Sequence, residues 1–165
     1  MKMNFLILAL ASLIPVVLHY IWYNPKLLGN AWKKTKNGAE QEKMASNDFL
    51  QFVVGLVLSY MLAISMSMMV IHQYALDSIV MGPELQDPAS ETSIWLKEAL
   101  AKYGKNYRTF KHGAFHGALT ALFFLLPVLG MTALFERKSF RQVAIQVGFW
   151  IVALSLMGGI ICQFA

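Results

Sequence analysis

The sequence predicts an all-α protein: a four-helix transmembrane bundle with an amphipathic interfacial helix in its second connection. Three observations carry this. Apolar runs cover about 4–24, 49–77, 112–135 and 143–164, and they hold no Asp, Glu, Lys or Arg apart from Asp77 at the edge of the second. Each is long enough to cross a hydrocarbon core roughly 30 Å thick, which takes about 20 helical residues. The chain is 57% hydrophobic with a mean hydropathy of +0.51, above the usual soluble range of about 45–50% apolar. At 165 residues it forms a single integral membrane domain, and only the connection over about 78–111 leaves room for extramembrane structure.

The first run follows Met1-Lys2-Met3 as a signal peptide would, but it continues past Pro15 to Tyr23. That exceeds the usual h-region of about 7–15 residues, so it reads as a retained helix. Pro15 removes a backbone donor and should kink it, with Ser12 near enough to help the local backbone. The run ends at Trp22-Tyr23-Asn24-Pro25, where Trp22 and Tyr23 are interfacial anchors and Pro25 stops the helix. Trp32 continues this interfacial segment. A solvated loop follows, and Ser46-Asn47-Asp48 offers N-caps for the second span.

The second span is long. From 49 to 76 it would measure roughly 42 Å at 1.5 Å per residue, so it should tilt or project. Gly55, Ser59, Ala63 and Ser67 recur every fourth residue along it and place small side chains on one face. In the second connection Asp87-Pro88 reads as N-cap and first residue of a helix. Leu96, Leu100, Tyr103, Tyr107 and Phe110 form its apolar stripe, and Gly104 and Asn106 weaken it midway. Trp95, Tyr103 and Tyr107 are anchors for a helix lying on the membrane surface. The third span repeats the four-residue spacing with Gly113, Gly117 and Ala121, and Pro127 should bend it. Glu136 to Ser139 is a tight turn that forces the last two spans into an antiparallel hairpin, with Glu136-Arg137 as an ion pair or cap. Ala144/Gly148 and Ser155/Gly159 are small pairs on the fourth span.

Charge bears on topology. The formal charge is +5 and the pI about 9.4, but the basic residues flank apolar runs and no recognition motif accompanies them. Anionic lipid suits that pattern; nucleic acid does not. Lys26, Lys33, Lys34 and Lys36 crowd behind the first span against one Lys before it. The positive-inside rule then puts both termini outside the cytoplasm.

Few residues carry chemistry. His112 and His116 share a helical face, and His72 falls on the same membrane side, so a metal or haem ligand set is conceivable. Met61, Met66, Met68 and Met69 lie along the helix before His72, and thioethers suit soft copper. Against this, histidines near span ends often bond backbone or headgroups, and Met is a flexible packing residue; no cofactor is the default expectation. His19, at the opposite end, reads as an interfacial hydrogen-bonding residue. Cys162 reads as a small packing residue. No ionisable carboxylate or lysine lies within a span, and no P-loop, GxSxG motif or internal repeat is present. The expectation is a protein that is not an enzyme.

The Trp22-Tyr23-Asn24-Pro25-Lys26-Leu27-Leu28-Gly29-Asn30-Ala31-Trp32 segment, His116-Gly117, the late proline of the third span and Leu134-Phe135-Glu136-Arg137-Lys138-Ser139 together resemble the small bacterial membrane proteins of domain-of-unknown-function family 1761. The resemblance covers most of the chain. It implies four helices and a bacterial cell inner membrane, and it supplies no catalytic residues. The connection over 78–111 looks expanded relative to that pattern, as a partner-docking feature would be. The leading expectation is therefore an unassigned role through assembly, as a homo-oligomer or as an accessory subunit beside other membrane proteins. A carrier of a small ligand, lipid, metal or haem is the alternative.

Overall fold

A computed structural model describes residues 3–35 and 48–165, and it is helical with no strand among them. Four helices are long and apolar enough to cross a membrane: α1 (Phe5–Trp22), α3 (Asp48–Val70), α6 (Phe110–Phe135) and α7 (Phe140–Phe164). Shorter helices join them: α2 (Gly29–Lys33), α4 (Gln73–Ile79) and α5 (Glu91–Tyr103), with a 3-10 turn at Pro83–Gln86. The expected solvated loop and the caps Ser46 and Asn47 lie outside the described residues; Asp48 is the first described residue of α3.

The helix α7 is the axis of the bundle. Of its apolar window 56% is buried, against 28% or less for the other three spans. Leu154, Met157, Ile161 and Cys162 of α7 meet Leu8 and Ala11 of α1, Ala63, Met66 and Val70 of α3, and Ala121 of α6 in one cluster. The outward faces keep large apolar side chains such as Leu6, Leu58, Phe123 and Phe135 exposed, as lipid contact requires.

Small residues set the helix spacing. A Cβ on Gly113 would fall 2.1 Å from the carbonyl oxygen of Gly158, and one on Gly117 would fall 2.1 Å from that of Leu154. Backbones therefore touch across α6 and α7, as small-residue packing in lipid predicts. Ser59, Ala63 and Ser67 are buried on α3. Gly148 and Gly159 receive the rings of Trp22 and Phe110. Gly55 differs: its nearest neighbour is the Val16 side chain at 4.0 Å, an ordinary contact that does not need glycine.

Four local expectations need correction. The second span does not run to residue 77. It stops at Val70, and a new helix starts at Gln73 with His72 as its N-cap, so no single helix covers residues 49–76. The helix of the second connection begins after Ser90, whose hydroxyl accepts from the Ser93 N–H. Asp87 instead closes a local turn by accepting from the Ala89 N–H. The expected stripe is split: α5 ends at Tyr103, Tyr107 adopts a left-handed φ of 60°, and Phe110 opens α6. Gly104 and Asn106 thus end the helix rather than weaken it. At the hairpin, Glu136 pairs with Lys138, not Arg137; Arg137 takes a φ of 55°, and the Lys138 N–H bonds the Ala133 carbonyl. This is a left-handed helix stop.

Proline effects are local. Pro15 lies buried inside α1, and Ser12 donates to the Ala9 carbonyl at 2.7 Å. Before Pro127, residues Ala121–Leu125 form a π-helical turn. The ring cannot donate to the carbonyl four residues back, and a widened turn is one way for the preceding backbone to adapt.

Candidate metal centre

The break after α3 and the start of α6 meet at one end of the bundle, beside the C-terminal end of α7. Several bonds converge there. The Cys162 thiol donates to the carbonyls of Val70 and Tyr107, each at 3.3 Å. Arg108 donates through Nε to the Cys162 carbonyl at 2.7 Å and through Nη2 to the Ala165 carbonyl, a cation on the exposed carbonyls of a helix end. Gln73, buried at the start of α4, donates to the carbonyls of Tyr103 at 3.2 Å and Asn106 at 2.8 Å. That bond set pins the chain leaving α5. Thr109 then caps α6, its hydroxyl accepting from the His112 N–H at 3.3 Å. The result is a fixed approach to His112.

Three imidazoles collect at this junction. His72, His112 and His116 each present a ring nitrogen, and these atoms lie within 4.8 Å of one another. The Nε2 atoms of His72 and His112 are 2.9 Å apart, one donating and the other accepting. Ring centroids lie 4.5 Å apart for His112 and His116 and 4.9 Å for His72 and His116. The Tyr107 ring covers His112 at 5.2 Å. His72 is exposed and the other two are half-buried, so the cluster has a solvent-facing side. In tetrahedral coordination at about 2.0–2.1 Å, ligand nitrogens stand about 3.3 Å apart. Small imidazole rotations cover the difference. The fit is to a single ion with three nitrogen ligands and an open position.

The other singled-out residues separate from this site. At the far end of the bundle His19 packs among Tyr23, Tyr20 and Phe149, the first at 4.7 Å. Trp22 donates its indole N–H to the Ile145 carbonyl at 3.3 Å, and the Tyr23 ring packs at a tilt against Trp32, centroids 5.2 Å apart. These three anchors are half-buried and tie α1 and α2 to α7. Trp95, Tyr103 and Tyr107 are exposed. Between α1 and α3 runs a groove of about 820 Å³, lined by Val16, Gly55, Ser59 and Phe149 with His19 and Gln51 toward one end. Its walls are mainly apolar, and bilayer acyl chains would satisfy them without specific recognition.

The motif that carried the resemblance is a turn. The Leu28 N–H bonds the Trp22 carbonyl and the Gly29 N–H bonds the Asn24 carbonyl. A Cβ at Gly29 would lie 2.1 Å from the Tyr23 oxygen. Residues 6–162 match the family described as protein of unknown function (DUF1761). The chain belongs to that family. No curated protein and no solved structure matches it. In this DUF1761 protein the family-like Trp-Tyr-Asn-Pro turn and the histidine cluster lie at opposite ends of the bundle.

Sequence reasoning paired His112 with His116 by spacing and added His72 by topology. It did not see Gln73, Thr109 or Cys162 as the groups that hold the two chain segments together. Thr109 was findable, since a threonine just before a helical run is an N-cap signal. The bonds of Gln73 and Cys162 span sequence distances that no local pattern reports.

Proposed function

We propose that this DUF1761 protein is a membrane-embedded binder of a first-row transition-metal ion. The observation that carries the reading is the convergence of His72, His112 and His116, from two separate chain segments, to ring nitrogens within 4.8 Å. Imidazole suits zinc, copper, iron and nickel. Two nitrogens 2.9 Å apart leave no room for a macrocycle between them, which favours a bare ion over haem. The basic residues behind α1 support an orientation with both termini outside the cytoplasm, and the site then opens outward, in a bacterial inner membrane for example. The protein would hold or pass on the ion rather than catalyse a reaction.

The test is a metal titration of the full chain in lipid nanodiscs. One ion per chain is expected, with at least a tenfold loss of affinity in His112→Ala and His116→Ala. On intact cells, a membrane-impermeant chelator should strip the ion. Stoichiometric binding that survives both substitutions would sink the site, and retention against the chelator would reverse the orientation.

A second reading, assembly with itself or as an accessory subunit, retains support from Gly130. A Cβ there would meet nothing within 4 Å, so α6 offers an outward small-residue position that the bundle does not use.

A further inference from the structure

We infer that the ion is monovalent copper and that the Met69 thioether is its fourth ligand; this rests on the metal-binding reading above. Two observations point the same way.

The first is charge. Among the described residues the cluster comprises three histidines, with no cysteine, aspartate or glutamate in the group. Such a ligand set is neutral. The desolvation cost of an ion grows with the square of its charge and is severe where the surroundings are apolar. A monovalent ion therefore asks least of neutral ligands at the edge of a bilayer, whereas a divalent ion on three imidazoles takes a water or hydroxide in its open position.

The second is a soft donor placed beside the site. The Thr120 hydroxyl donates to the His116 carbonyl at 2.8 Å and lies 3.9 Å from the Met69 sulfur. The thioether therefore sits beside the helical turn that follows His116, on the membrane-interior side, where a rotamer change would carry it toward the imidazoles; Met69 also precedes His72 by three residues, across the helix break after Val70. Its side chain is 47% exposed and is not locked into the core as Met66 is. Met61 and Met68 are exposed on the same helix, but of the three only the Met69 sulfur has a contact on the His116 side of the bundle. Methionine sulfur and imidazole together select Cu(I) over harder ions.

The experiment uses the full chain in nanodiscs under anaerobic, reducing conditions. Cu(I) is titrated against a chromophoric Cu(I) chelator, Zn(II) is titrated in parallel, and the copper-loaded protein is examined by X-ray absorption. The expected result is one Cu(I) per chain with nitrogen and sulfur neighbours. Met69→Leu should remove the sulfur contribution and weaken Cu(I) binding about tenfold, leaving Zn(II) affinity unchanged. Met68→Leu should leave both unchanged. Tighter Zn(II) than Cu(I) binding overturns the copper assignment while leaving a metal site. Full sulfur scattering in Met69→Leu overturns the role of Met69. Failure to bind either ion overturns the underlying reading as well.

Discussion

Individual residues decide how closely this bundle can pack. Gly113 and Gly117 have carbonyl oxygens where any side chain would begin. Overpacking of that kind costs about 1–3 kcal/mol, and backbone on both sides leaves little to yield. Gly117→Ala is expected to destabilise the protein by about that amount in a reversible detergent unfolding assay. Gly130→Ala, in open space, is expected to be neutral or to gain up to about 1 kcal/mol from helix propensity. Equal effects at the two positions would show that the backbone contact does not govern stability. Of these positions, the sequence flagged Gly113 and Gly117 through their four-residue spacing, and a carbonyl oxygen of α7 lies against each. The same spacing also flagged Gly55, where the structure shows only an ordinary contact. Periodicity assigns a residue to a face; whether another backbone reaches that face depends on helices far away in the chain.

At the scale of elements, the second connection is the informative part. Composition marks a helix there, but it places the start and the end elsewhere and runs the second span straight through the break after Val70. The reason is physical. An apolar run says that a segment prefers lipid or core, and the stretch from Ile71 to Leu76, though it contains His72 and Gln73, carries no charge that would mark a stop. The stop comes from tertiary bonds: the Val70 carbonyl receives the Cys162 thiol, and Gln73 turns inward to hold Tyr103 and Asn106. Removing the Gln73 amide should therefore loosen the approach to His112. Gln73→Leu is expected to cost about 1–3 kcal/mol, from two lost hydrogen bonds of about 0.5–1.5 kcal/mol each. It should also speed amide exchange over residues 103–109 and lower metal affinity without touching an imidazole. Unchanged exchange in that stretch would show that the amide does not organise it.

At the scale of the molecule, the fold class was legible in the apolar runs alone. Four charge-free runs became four membrane-length helices, because lipid demands internally satisfied backbones and leaves few alternatives to a helix. Partners are a separate matter. The small-residue faces of α6 and α7 are largely spent on each other, which removes much of the basis for expecting assembly. In a mild detergent, the particle mass is expected to correspond to one chain of 18.5 kDa plus bound detergent and lipid. A discrete multiple of that mass, abolished by Gly130→Leu, would restore assembly as the main reading.

The burial of α7 has a consequence for biogenesis. The helix with the most neighbours is also the last of the four to leave the ribosome. Until it enters the bilayer, α6 waits with a bare glycine face, and the two histidine-bearing segments lack the Cys162 thiol that joins them. Insertion and folding are thus separated in time. A ribosome stalled before residue 140 would leave three inserted helices without their common partner, a natural substrate for membrane quality control.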